Sequence, residues 1–380
     1  MDPLKAVAAH AAIRDADLAP LAQPRALLIA AARVAPVPKK TVTNAGPGAS
    51  PLVRGLPAPG SSAVAQGSGY ETRADVRAFM DEMVARHGFS RDELERLFAG
   101  ATRRDDVLRK ISKPAESLTW DSYRKIFLTE ARISAGAKFW QEHAALLERA
   151  EKTYGVPAEV IVAILGVETF YGRNTGDTPA LDALTTLGFD YPPRADFFRS
   201  ELGQYLLLCR EERLDVAKTT GSYAAAFGLS QFISSSYRHY AIDFDGDGVR
   251  DLWSPADAIG SVANYFAQHG WKLGQPVVVD AGVQGEAYKE LLGRGRKPTI
   301  AVGDLARHEI TPRGDLGGEA LVSFYEQQGD KGPEYWVGLN NFYVITRYNT
   351  SPLYAMAVHQ LSQAVRARRA LGTHHEGSRA

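Results

Sequence analysis

Val156-Pro157-Ala158-Glu159-Val160-Ile161-Val162-Ala163-Ile164-Leu165-Gly166-Val167-Glu168-Thr169-Phe170-Tyr171-Gly172-Arg173-Asn174 is the stretch around which the rest of the chain arranges itself. Pro157 suits the first turn of a helix, where a missing N–H costs nothing, and the run that follows is apolar on nearly every side. A helix without a polar face belongs inside, so this one is expected at the centre of the molecule. Glu168 closes the run, between Val167 and the aromatic pair Phe170-Tyr171. A carboxyl in such partly apolar surroundings has a raised pKa, as a general acid working near neutral pH requires. The same spacing allows two blander arrangements: an ion pair with Arg173, or a carboxylate turned to solvent.

A second constellation follows at Asp243-Phe244-Asp245-Gly246-Asp247-Gly248-Val249. Asp243, Asp245 and Asp247 at positions 1, 3 and 5, with Gly248 at 6 and the backbone oxygen of Val249 at 7, match the opening of an EF-hand calcium loop. Ser254 stands where such a loop usually closes with Glu, and Asp257 could close the shell of a longer variant. Ser254, Pro255 and Asp257 also read as N-cap, N1 and N3 of a helix over residues 256–269, and the two roles are compatible. Carboxylates packed this closely repel one another without a cation. Hard oxygen ligands favour calcium as a structural ion, with sodium as its substitute.

Composition sets the limits. The chain has 380 residues, 44 Lys+Arg against 44 Asp+Glu, and 45% hydrophobic residues. That is enough for two or three domains, and a neutral balance gives no electrostatic footprint for nucleic acid. One cysteine, Cys209, excludes an internal disulfide and a Cys-based zinc site. No apolar run reaches the roughly 18 residues of a membrane-spanning helix. All the aromatic residues lie at or after Tyr70, whereas residues 1–69 are rich in Pro, Ala, Gly and Ser. Such a segment has little large apolar surface to bury and is expected to be a flexible leader. Its apolar run Leu27–Ala32 is interrupted by Arg33, and the small-residue motif Ala63-Val64-Ala65 lies far beyond it, so a cleaved export signal is not clearly readable.

From Tyr70 helical signals dominate: Val76, Phe79, Met80 and Met83 share one face, Ser90 with Glu93 forms a capping box, and Trp120 to Leu147 reads as one or two long helices. After Pro276, short β-branched and aromatic runs at 277–279, 299–302, 320–325 and 335–337 indicate a β-rich insertion. Helix returns over 353–370, before a polar tail over 372–380. Tyr265, Tyr348 and Tyr354 are stacking platforms for sugars or core tyrosines. His239, His269 and His359 lack metal-ligand spacing and read as structural.

Four blocks taken together resemble the membrane-bound lytic murein transglycosylase B family: residues 166–172; residues 221–232; Asp243–Asp247 with 257–266; and residues 342–349 with 353–356. The resemblance spans about residues 70–368 and leaves the leader outside. It implies a mainly α, α+β fold: a helical α domain over 70–150 rejoined by helix 353–370, a lysozyme-like catalytic core over 151–275, a small β-rich domain over 276–340 and a C-terminal segment over 341–371. It implies cleavage of the β-1,4 bond between N-acetylmuramic acid and N-acetylglucosamine in peptidoglycan strands, with 1,6-anhydromuramoyl products. A hydrolytic muramidase and a non-catalytic peptidoglycan-binding scaffold are the rival readings. Carried over residue by residue, Glu168 is the sole acid/base. Ser222, Gln231, Tyr265, Tyr348, Asn349 and Tyr354 line the sugar groove, and Asp243, Asp245, Asp247, Val249 and Asp257 hold calcium. A monomer in the periplasm or at the cell wall is implied, without the lipid anchor for which an N-terminal cysteine would be needed. Two departures stand out. The family usually carries Gly-Ala-Met-Gly at Ala225-Ala226-Phe227-Gly228, and Gln-Phe-Met-Pro-Ser-Ser at residues 231–236, so Phe227 and Ser234 are expected to reshape the groove wall.

Overall fold

The computed structural model describes residues 69–112 and 118–377, so the reading of the leader falls outside the described residues but for Gly69. Helix α1 (Ala74–His87) buries Val76, Phe79, Met80 and Met83, the face its spacing predicts. In α2 (Arg91–Gly100) the Ser90 hydroxyl accepts the Glu93 N–H at 3.4 Å. After α3 (Asp105–Ser112), the stretch expected as one or two long helices is three: α4 (Trp120–Phe127), α5 (Glu130–Glu142) and α6 (Ala144–Tyr154). Thr129 causes the first break, because it leaves helical backbone and its hydroxyl caps α5 by accepting the Arg132 N–H at 3.2 Å. His143, at φ −117°, makes the second.

Helix α7 (Ala158–Thr169) is the central one, with every residue from Val160 to Val167 buried. Each of its large aliphatic side chains contributes about 1.5–3 kcal/mol of apolar burial. It is enclosed by α5, α6, α11 (Pro255–Gln268) and α13 (Pro352–Gly377). Helix α13 runs on through residues expected as polar tail, as far as Gly377. Helices α8 (Ala180–Asp190) and α9 (Ala195–Glu212) pack as a pair, α10 (Ser234–Tyr240) leans on α9, and α12 (Asn340–Tyr348) precedes α13. Two short strands, β1 (Thr178–Pro179) and β2 (Thr220–Gly221), pair antiparallel.

Between α11 and α12 the chain forms a five-stranded antiparallel sheet of β3 (Val278–Val283), β4 (Ile300–Ala301), β5 (Ile310–Pro312), β6 (Leu321–Gly329) and β7 (Gly332–Gly338), in the order β4-β6-β7-β3-β5. It has a core of its own, built from Leu291, Leu305, Ile310, Val322, Phe324 and Val337. Strand β5 carries no alternation of its own and exists because β3 offers it Ala281–Val283 as an edge. The β6–β7 hairpin reaches back to α4, where Glu334 accepts the Trp120 indole N–H at 3.1 Å and pairs with Arg124 at 3.1 Å. The fold is therefore mainly helical with one small antiparallel sheet, and no helix among the described residues is long and apolar enough to cross a membrane.

Candidate active site

Helix α7 stops at Thr169 because Phe170 and Tyr171 take left-handed backbone, φ 53° and 60°. Tyr171 then folds back into a slot between α5 and α7, where its hydroxyl donates to the Arg132 carbonyl at 3.0 Å. A Cβ on Gly136 or Gly166 would come within 2.3 or 2.5 Å of that hydroxyl, so the slot exists only between two glycines. The Thr169 hydroxyl lies within reach of the Leu165 and Leu229 carbonyls (3.2 and 3.1 Å) and accepts the Gly172 N–H at 2.9 Å. Glu168 thus leaves a helix end that is fixed on both sides.

Its carboxyl is half-buried at the wall of a cavity of about 510 Å³. Burial pushes the Glu168 carboxyl up to about 7, against the opposing pull of a 2.6 Å hydrogen bond from the Tyr354 hydroxyl. The ion pair with Arg173 does not form among the described residues; Arg173 also lines the cavity, its guanidinium 4.7 Å from the Phe170 ring centroid. The charge of Glu168 adds to burial in raising the hydroxyls of Tyr123, Tyr348 and Tyr354, which places all three around it. Tyr123, on α4, was not anticipated. Its hydroxyl is buried without a hydrogen-bond partner among the described residues, and its sequence signal is only that of a helix face.

The opposite wall is built by the β1–β2 pair, which lays residues 172–178 beside the turn 220–222. Gly176, at φ 93°, is needed there, since a Cβ would lie 2.2 Å from the Gly221 carbonyl. Ser222 and Gln231 line the cavity together with Asn174, Thr175 and Asp177. The Gln231 amide donates to the carbonyls of Thr175 (3.1 Å) and Gly228 (3.0 Å), pinning a residue whose φ is 52°. Among the described residues six non-glycine residues have positive φ, and Phe170, Tyr171, Ala225 and Gln231 among them belong to the two segments that frame the cavity. Backbone strain concentrates where the site is shaped.

The structure brings Glu168, Ser222 and Gln231 to the cavity, and sets Tyr354, fully buried and bonded to Glu168, with three further expected groove residues behind the wall. Tyr265 is buried, donating to the Arg347 carbonyl at 2.7 Å and stacked on His269 with centroids 4.0 Å apart. Tyr348 donates to the Ser230 carbonyl, and the buried Asn349 side chain accepts the Ser351 N–H at 3.1 Å. Phe227 is not on the groove wall either. It is fully buried, stacked on Tyr205 at 5.7 Å and 9°, because an aromatic pocket of Tyr237 and Trp253 receives it. Ser234 is buried at the start of α10, where its N–H helps hold the carboxylate of Glu201.

In the acidic loop, carboxylate oxygens of Asp243, Asp245 and Asp247 lie within 4.8 Å of one another. Asp243 also accepts the N–H groups of Gly246 (2.6 Å) and Gly248 (2.8 Å), which wraps the loop around it. Asp257 is buried, and its two oxygens take the N–H groups of Phe244 and Asp251, both at 2.7 Å. The cap expected at Ser254 is present, with its hydroxyl accepting the Ala256 N–H at 3.3 Å. Convergent carboxylates on a loop closed by its own amides suit a hard cation. The loop's end braces the cavity: the Leu252 carbonyl accepts the Leu229 N–H at 2.8 Å, and Gly228 packs against that carbonyl with no room for a Cβ.

A central helix that delivers one carboxyl of raised pKa to an open cavity, lined by Ser222, Gln231, Asn174 and Asp177, is the arrangement of a mainly helical enzyme working by general acid–base chemistry. Comparison with known proteins narrows this. The transglycosylase SLT domain family matches residues 71–363. Over 352 residues the chain is 42% identical to the membrane-bound lytic murein transglycosylase B of Escherichia coli (strain K12), covering 90% of this chain and 96% of that one. Among solved structures it is similar to the catenated lytic transglycosylase SltB1 of Pseudomonas aeruginosa, with 52% identity, a TM-score of 0.77 and coverage of 79% and 99%. It is also similar to the Escherichia coli lytic transglycosylase Slt35 in complex with calcium, with 44% identity, a TM-score of 0.75 and coverage of 82% and 98%. The chain belongs to the transglycosylase SLT domain family and is a lytic transglycosylase of peptidoglycan.

Proposed function

We propose that Glu168 alone carries both proton transfers of this reaction. The observation that supports it is a carboxyl raised to about 7 by burial, open to the cavity and bonded to one tyrosine. Glu168 gives its proton to the glycosidic oxygen as the C1–O4 bond breaks. The resulting carboxylate takes the proton of the muramoyl C6 hydroxyl, whose oxygen closes the new C1–O6 bond, so no water is consumed. The substrate's own acetamido group stabilises the positive centre at C1 in the absence of a second carboxylate. Asp177 does line the cavity, but it is exposed and its charge does not contribute to the Glu168 pKa, which separates it from a paired-carboxylate arrangement. Ser222 and Gln231 orient the glycan from the opposite wall. Tyr348, Tyr265 and Asn349 act from behind it, by holding the backbone of residues 230 and 347–351 in place.

The acidic loop holds calcium through Asp243, Asp245 and Asp247, with the Val249 carbonyl and Asp257 completing the shell, and the ion is structural. The protein works as a monomer at the cell wall, in the periplasm, where its substrate lies. Mass spectrometry of digested peptidoglycan tests the chemistry. Glu168→Gln should lose at least about a hundredfold in turnover while still binding strands. Asp177→Asn should still release anhydromuramoyl ends; reducing muramoyl ends from the wild type, or their loss in Asp177→Asn alone, would replace the single-carboxyl mechanism with a two-carboxyl one.

A further inference from the structure

Arg173 lines the catalytic cavity, yet no carboxylate among the described residues pairs with it. Its spacing from Glu168 allows an ion pair, but Glu168 is bonded to Tyr354 instead. The guanidinium is held over the Phe170 ring and is otherwise exposed, so its hydrogen-bond donors are free for a ligand. Lys110 is a second cation on the same lining. Its neighbour Asp106 already gives both oxygens to Arg104, at 2.9 and 3.2 Å, and leaves Lys110 a long 3.5 Å contact. Apart from Glu168, Asp177 is the one acid in the lining among the described residues. The cavity therefore offers two loosely held cations against a single exposed carboxylate.

A glycan strand of N-acetylated sugars has no charge for these cations to meet. Its muramoyl residues do, through the lactyl substituent on C3. That substituent ends either in a free carboxylate or in an amide bond to a stem peptide that carries carboxylates of its own. Resting on the transglycosylase reading of this cavity, we infer that Arg173, supported by Lys110, binds a carboxylate carried on the lactyl arm of the muramoyl residue at the cleavage site. Arg173 is thereby a specificity residue: it makes the enzyme read the substituent as well as the sugar.

The test uses the full chain and four substrates: peptide-bearing strands and peptide-stripped strands, each in native form and with carboxylates converted to neutral methylamides. Amidation should lower the wild-type kcat/KM on the strand type that supplies the carboxylate by about threefold to tenfold, the range for one partly exposed charged contact. Arg173→Gln should show that loss on the native strand and no further loss on the amidated one, while Arg173→Lys keeps part of the sensitivity. Coupling confined to peptide-bearing strands assigns the carboxylate to the stem peptide; coupling confined to stripped strands assigns it to the lactyl group. If Arg173→Gln lowers kcat/KM by the same factor on native and amidated strands, the side chain merely packs on Phe170 and the inference is overturned. Bond cleavage is the readout throughout, so anhydro or reducing ends in the products judge the reaction type separately.

Discussion

Glu168 was legible because its surroundings are local: an all-apolar run before it and two aromatics after it. Tyr354 was legible only through the family resemblance, and Tyr123 not at all, because both are distant in sequence and meet Glu168 only through packing. Two consequences belong to this scale. The folded carboxyl titrates at about 7 against an ordinary 4.5, so the native state holds a proton that the unfolded chain releases. The pH-dependent cost of this burial is therefore absent well below pH 4.5, grows as pH rises to about 7, and is constant beyond. Glu168→Gln should match the wild type in stability at pH 4 and exceed it by on the order of 2–3 kcal/mol at pH 8, as read by denaturant unfolding. The Tyr354 hydrogen bond favours the ionised carboxyl. Tyr354→Phe should consequently move the alkaline limb of the kcat/KM profile to higher pH; a shift to lower pH would contradict the geometry.

Among the elements, helices with a clear face were legible, as at α1, and those with a hydroxyl cap as well, at α2 and α11, were legible to their first residue. The run from Trp120 to Leu147 was not, because two hydroxyl and imidazole residues interrupt a continuous apolar pattern without disturbing its period. Strand β5 was invisible for the opposite reason: its pairing partner creates it. The turn from Ser222 to Gln231 shows what a departure from family pattern costs. Ala225 stands at φ 54°, a conformation free to glycine but unfavourable to alanine by about 1–2 kcal/mol, part of which the stiffer unfolded chain offsets. Ala225→Gly should stabilise the protein by about 0.5–1 kcal/mol, visible as a raised melting temperature. An unchanged or lower value would mean that the alanine methyl contributes packing that outweighs the strain.

Across the whole molecule, the acidic loop and the catalytic cavity are one mechanical unit, joined where Leu252 accepts the Leu229 N–H and where Gly228 packs on Leu252. The loop was legible as a motif, but its connection to Leu229 was not, since the bond is between backbone groups that any residues could supply. If the loop holds calcium as proposed, its removal should therefore lower both stability and turnover. Chelation, or Asp247→Ala, is expected to reduce the melting temperature by several degrees and kcat/KM by about tenfold. If the melting temperature moves and the rate constant does not, the brace is slack and the ion serves the loop alone.

The contact of Glu334 with Trp120 and Arg124 has a further consequence. Two segments some two hundred positions apart in sequence are tied together at this contact, so the hairpin and α4 are expected to share one opening event. In native-state hydrogen exchange, the amides of α4 and of the β6–β7 hairpin should lose protection together, at a free energy below that of α7. The order of opening would then run from α4 to α7: Tyr123 withdraws from Glu168 before the helix carrying Glu168 unfolds, and activity disappears on warming while most of the helical signal remains.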